Sequence, residues 1–275
     1  MAVEHHSALG PSADRGPAAS SATLVGPAIE TRDLHKRFGS YEVLNGVNLA
    51  IPEGALAVIM GPSGTGKSVM LKHIIGSLPL DRGDVLVFGR SLGAMSRREL
   101  IDLRRDIGVM WQDGALFSAM TVYDNVAFPL RQHTDLAERE VRELVDHHLR
   151  QVGLLAAAGR YPSELSGGMK KRAGLARALV LNPKLLLCDE PDSGLDPVRT
   201  ALLAAILKEL HAEAGTTMLI VTHNILLSRA VAEYVAVLWK GQIVVSGPAD
   251  EVWATEDPFV RQFLAAETAG PLGMD

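Results

Sequence analysis

The chain has 275 residues, 47% of them hydrophobic, which is enough to bury one large core and excludes a wholly disordered protein. Its 27 basic against 32 acidic residues give a formal charge of -5, short of the basic balance that binding to nucleic-acid phosphates favours. The single cysteine, Cys188, excludes an internal disulfide and the paired-cysteine zinc and redox motifs, and no run of about 18 apolar residues marks a membrane span.

The N-terminus has neither the basic start nor the uninterrupted apolar stretch of a signal peptide, so a reducing, cytosolic compartment is expected. Residues 1–26 are crowded with Ala, Ser, Gly and Pro and lack an apolar period, which predicts a disordered tail. His5 and His6 fall in that tail and read as solvated side chains, since a metal site needs more ligands. From Ile29 to about Leu264 the pattern is continuous, without a second linker or a long-period repeat, so one domain over 27–265 and a short tail over 266–275 are expected. Up to about Ile51 the residues alternate as antiparallel strands do. Ala55 to Met60, Leu185 to Asp189 and Met218 to Thr222 are apolar runs of the length and kind that strands buried on both faces require.

Helical patterns alternate with these strands. Leu71, Ile74, Ile75 and Leu78 share one helix face, as do Val141, Leu144, Val145, Leu149 and Val152, and Leu202, Leu203, Ile206, Leu207 and Leu210. Strand, helix and strand in succession predict a parallel α/β core. The stretch from Trp111 to Arg177 is largely helical and is expected to form a lobe, about 112–177. Val235 to Ser246 reads as a hairpin turning at Lys240-Gly241.

Three motifs carry chemistry. Gly61-Pro62-Ser63-Gly64-Thr65-Gly66-Lys67-Ser68 lies between a buried strand and a helix, which is the context a Walker A phosphate loop requires. Its glycines let backbone N–H groups turn inward to phosphate oxygens, and the helix that follows adds the positive end of its dipole. Lys67 supplies charge to the β- and γ-phosphates, and the Ser68 hydroxyl is a ligand suited to magnesium. The apolar run Leu185 to Cys188 ends in Asp189 and Glu190, a Walker B pair when a phosphate loop is also present. Asp189 is the expected magnesium partner and Glu190 the general base that polarises water. Cys188 reads as a small buried side chain. Ser166 is a fitting helix N-cap, and Gly167 and Gly168 after it leave N–H groups open to an anion.

The segment Leu165-Ser166-Gly167-Gly168-Met169 resembles the signature sequence of ATP-binding cassette (ABC) proteins and lies 24 positions before Asp189, at the spacing of that family. The resemblance implies a P-loop NTPase cassette of α/β class: a mainly parallel RecA-like core, an antiparallel β subdomain and a helical signature lobe. By the same resemblance Gln112 matches the Q-loop glutamine and a magnesium ligand, Ser193-Gly194-Leu195-Asp196 the D-loop, His223 the switch histidine, and Phe38 the aromatic that stacks on adenine. Residues 61–69, with Val69 closing the loop, would bind nucleotide together with Ser166, Gly167, Gly168 and Asp196. The family binds ATP with Mg2+ between two copies, so a homodimer is implied.

The runs Gly167 to Ala178, Asp189 to Pro197 and Asp257 to Phe263, with Met169 where the signature usually has Gln, are similar to the Mla/Mce-associated phospholipid-transport ATPases. That likeness implies a membrane permease, an Mce-domain lipid-binding protein, a STAS-domain regulator, phospholipid cargo, and a place on the cytoplasmic face of the inner membrane. Three alternatives stand beside it: a cassette for another cargo, a non-transport ABC ATPase acting on DNA or ribosomes, and a regulatory binding module that no longer hydrolyses ATP, which the presence of Lys67, Asp189, Glu190 and His223 disfavours. The second is disfavoured because only 98 positions separate Lys67 from Leu165, too few for an inserted coiled coil, and because one cassette is present.

Overall fold

The computed structural model describes residues 26–271, so the expected N-terminal tail, apart from Gly26, lies outside the described residues, as does the end of the C-terminal tail. Strands β1 (Pro27–Phe38) and β2 (Tyr41–Pro52) pair antiparallel from Pro27↔Pro52 to Phe38↔Tyr41. After them come β3 (Leu56–Met60), α1 (Lys67–Ile74), β4 (Arg82–Val87), β5 (Arg90–Ser91), α2 (Arg97–Arg105) and β6 (Ile107–Met110). Helices α3 (Val122–His133), α4 (Glu138–Gln151) and α5 (Gly167–Leu179) precede β7 (Leu185–Asp189). The chain closes with α6 (Pro197–Ala214), β8 (Thr217–Thr222), α7 (Ile225–Val231), β9 (Tyr234–Trp239), β10 (Gln242–Pro248), α8 (Ala249–Trp253) and α9 (Pro258–Ala265).

Two sheets result. One is antiparallel, in the order β2-β1-β4-β5; the other runs β10-β9-β3-β8-β7-β6 and is parallel from β9 to β6. Side chains of a strand alternate between faces, and here both faces are apolar. Leu56, Val58 and Met60 of β3 join Leu186 and Cys188 of β7 in one buried cluster with α3 to α9. Ala57 and Ile59 join Leu185 and Leu187 in a second cluster with α1 and the antiparallel sheet. The hairpin β9–β10 turns at Lys240-Gly241, with Trp239 opposite Gln242.

Two details depart from the sequence pattern. The first helix stops at Ile74, because the Ser77 N–H closes back on the Lys72 carbonyl (2.9 Å), so half-buried Leu78 lies beyond it. Leu202 shares the helical spacing of Leu203 and Ile206 yet is 49% exposed. Helices α3, α4 and α5 pack on one another, and their buried residues Val126, Val145 and Leu175 belong to the cluster that also lines the parallel sheet.

Candidate active site

The parallel strands β3, β7 and β8 end side by side, with Met60 paired to Thr222 and Asp189 to Val221, so their following loops emerge at one edge. The first is the glycine-rich loop 61–66. A Cβ on Gly61 would lie 2.2 Å from the Leu238 carbonyl oxygen, a distance that admits no side chain at that turn. Thr65 Oγ1 donates to the Pro62 carbonyl (3.0 Å) and staples the loop, while Ser63 and Gly64 are exposed. Helix α1 then starts at Lys67 with no acidic residue in its first turn, so no carboxylate of the helix itself offsets the positive end of its dipole.

Lys67 is buried, and its Nζ donates to the carbonyls of Gly61 and Pro62, both at 2.8 Å. Burial lowers its pKa, opposed by the charges of Glu190 and Asp189. The Ser68 hydroxyl donates to Asp189 Oδ1 at 2.8 Å, joining the helix start to the end of β7. Burial pushes the Asp189 carboxyl above the usual carboxylate range, and the Ser68 hydrogen bond acts against that shift. A hydroxyl and a carboxylate held together are hard oxygen donors, a set that fits a magnesium ion.

Glu190, the next residue, has a φ of 43°, left-handed backbone in a residue that is not glycine. Such a conformation costs on the order of 1–3 kcal/mol and persists only where the surroundings fix it. Here the Glu190 N–H donates to the Val221 carbonyl (2.9 Å), and Glu190 Oε1 lies 3.3 Å from Nδ1 of exposed His223. A carboxylate and an imidazole at that separation are suited to orient and deprotonate a water molecule.

A surface cavity of about 290 Å³ gathers Phe38, Gly64, Gly66, Lys67, Ser68, Val69 and Glu190, with Val43 of β2 as its remaining wall. Phe38 is 49% exposed at the end of β1, so an open aromatic face stands beside the phosphate loop. Ser166 and Gly168 do not share this cavity. Ser166 caps α5 by accepting from the Met169 N–H (3.3 Å), and with Gly168 it lines a smaller cavity bounded by Leu195, Arg199 and Leu202. Gly167 is exposed, and Asp196 caps α6 through the Arg199 N–H (2.9 Å). Gln112 is exposed, two residues beyond the end of β6, and Ser68 and Asp189 bond to each other rather than to it.

Residues 44–193 match the family model described as ABC transporter. The chain belongs to the ABC transporter family. Over 250 residues it is 49% identical to the probable ribonucleotide transport ATP-binding protein mkl of Mycobacterium leprae, covering 91% of this chain and 72% of that one. Over 248 residues it is 40% identical to the intermembrane phospholipid transport system ATP-binding protein MlaF of Escherichia coli K12, covering 90% and 92% of the two chains. Among solved structures it is similar to a dimeric ATP-binding cassette in a post-hydrolysis state bound to ADP and Pi, with a TM-score of 0.74, 32% identity, and 80% of this chain and 98% of that one covered. The ABC protein described here is thus an ATP-binding, ATP-hydrolysing subunit of a transporter. Among the described residues no helix is long and apolar enough to cross a membrane.

Sequence reading of this ABC subunit missed Val43, whose place in a β strand of alternating residues does not reveal what its side chain faces. It also missed Lys171, which is buried in α5. The signal was available: Lys171, Gly174, Leu175 and Ala178 share the buried face of α5.

Proposed function

We propose that the C-terminal edge of the parallel sheet is the ATPase centre, with Lys67 and the loop 61–69 holding the phosphates and Phe38 stacking on the adenine. Glu190 takes a proton from water as its oxygen forms a bond to the γ-phosphorus; the bond from that phosphorus to the β,γ-bridging oxygen breaks, and ADP and phosphate result. His223 orients the water and the γ-phosphate. Ser68, Asp189 and Gln112 would hold magnesium, whose charge would offset that of the phosphates. The observation that carries this reading is the convergence of Ser68–Asp189 (2.8 Å) and Glu190–His223 (3.3 Å) beside the buried Lys67.

Because Ser166 and Gly168 lie outside that cavity in one chain, they serve the nucleotide of a second copy, with Gly167 and Asp196 beside them, and the working unit is a homodimer. The subunit acts on the cytoplasmic face of the inner membrane through a permease, with an Mce-domain protein and a STAS-domain regulator as further components. Its cargo is phospholipid, supported by 40% identity to MlaF along 92% of that protein and by Met169 in the signature. The higher identity to mkl, a probable ribonucleotide transport protein by name, supports a nucleotide cargo as the second reading. The complex purified from membranes and reconstituted in vesicles distinguishes them. ATP-dependent movement of labelled phospholipid is expected; ribonucleotide movement without lipid movement would replace the first reading by the second.

A further inference from the structure

A buried cation next to Glu190 has no part in the mechanism above. Lys171 is 5% exposed, and its Nζ donates to the Glu190 carbonyl oxygen at 3.2 Å and to Ser193 Oγ at 2.9 Å. Removing an ammonium group from water is unfavourable unless its donors are taken up, so this contact fixes the position of both partners. Burial lowers the Lys171 pKa, and the negative charges of Asp192, Asp113 and Glu190 oppose that shift and favour the charged form.

The acceptor is the peptide that has the unfavourable φ of 43°. Its carbonyl also accepts from the Ser193 N–H (3.1 Å), and Asp192, two residues on, accepts from buried Thr222 (2.8 Å). The turn that aims the Glu190 carboxylate is therefore held from β8 on one side and by Lys171 on the other. Lys171 stands five residues after Ser166, in the helix that Ser166 caps. That helix is itself pressed against the loop after β6: a Cβ on Gly174 would lie 2.8 Å from Gly114 Cα, and Arg177 donates to the Gly114 and Ala115 carbonyls (2.9 and 2.8 Å). A shift of α5 driven from its Ser166 end would move the Glu190 peptide through the ammonium.

We propose that Lys171 is a positioning residue for Glu190, which ties the orientation of the hydrolytic carboxylate to the place of the Ser166 helix. This rests on Glu190 being the general base. Lys171→Met keeps the aliphatic stem and removes the donors, and Lys171→Arg restores a cation. The full chain is assayed with its permease complex, and rates are normalised to sites that bind a fluorescent ATP analogue, so that misfolded protein does not count. Lys171→Met should lower kcat at least tenfold with KM for ATP changed less than about threefold, and Lys171→Arg should recover part of the loss.

In a Glu190→Gln background, Lys171→Met should lower the residual rate less than twofold, because no base remains to be positioned. Equal losses in both backgrounds would mean a purely structural lysine and overturn the proposal. Wild-type kcat in Lys171→Met would overturn it as well, while slow Glu190→Gln would leave the base assignment intact. Fast turnover in Glu190→Gln alone would remove the base assignment and the proposal with it. If Lys171→Met binds no nucleotide at all, Lys171→Gln and Ser193→Ala carry the same comparison, and wild-type kcat in both would overturn the proposal.

Discussion

The two ends of the parallel sheet differ in a way that cavity size does not reveal. At the N-terminal ends of β3, β7 and β8 lies the larger cavity, about 670 Å³, lined by Gly54, His148, Lys184, Glu213, Thr216 and Thr217 among others. Its polar groups stitch the fold together: Gly54 N–H to Thr217 Oγ1 (2.9 Å), Thr216 Oγ1 to the Pro183 carbonyl (3.3 Å), and Gln151 to Glu213 (2.7 Å). At the C-terminal ends the cavity is less than half that volume, yet a buried cation and a buried carboxylate converge there, with pKa values moved in opposite directions by the same burial. Both ends contain a left-handed residue other than glycine. Asn182 enters that region at low cost, whereas Glu190 does not. Strain and opposed buried charges, rather than volume, distinguish the end proposed for chemistry.

The comparison is broken most severely from outside the cavity. Ser166→Arg places a bulky cation where a second copy's γ-phosphate is proposed to lie, and steady-state turnover should fall at least about 100-fold. Met169→Gln, which leaves the signature N–H groups in place, should stay within about tenfold, or roughly 1.4 kcal/mol. Turnover by Ser166→Arg at the wild-type rate would sink the shared site. Lys67→Ala should weaken ATP binding by calorimetry about 100-fold, near 2.7 kcal/mol, through loss of a charged donor to the phosphates.

A change at the other end should register in stability alone. His148 is buried, with Nδ1 on Gln151 Oε1 (2.9 Å), and burial, then the neighbouring His147 charge, holds its pKa below the ordinary 6.5. The unfolded histidine takes up a proton that the folded one resists, so its contribution is complete above about pH 6.5 and is lost as pH falls toward the lower folded value. His148→Leu should flatten the acid side of the melting-temperature profile while leaving ATP affinity unchanged. A parallel acid decline in mutant and wild type would contradict this account of His148.

Local features of the fold were legible in the sequence because local chemistry dictates them. The doubly buried strands announced themselves as unbroken apolar runs, and the phosphate loop by glycines between a strand and a helix. What stayed hidden depends on contacts between distant segments. The Ser77 bond to Lys72 that ends α1 before Leu78, the solvent exposure of Leu202, and the burial of Lys171 against Glu190 and Ser193 all depend on how elements meet. The left-handed Glu190 peptide was equally hidden, since no propensity suggests it. For the signature segment, the family resemblance implied a place facing the phosphates of a second copy, and within one chain Ser166 and Gly168 open on a cavity separate from the phosphate loop.

The central claim is that Glu190, held in its strained turn beside His223, is the base of an ATPase site completed by a second copy. Glu190→Gln keeps the size of the side chain and loses the basic oxygen. With Mg-ATP and the permease present, calorimetry, phosphate release and light scattering should together show ATP bound near wild-type affinity, hydrolysis slowed about 10² to 10⁴-fold, and a dimer stabilised by the uncleaved nucleotide. Phosphate release at a near wild-type rate would contradict the role of Glu190. Bound, uncleaved ATP on a chain that stays monomeric would contradict the shared site.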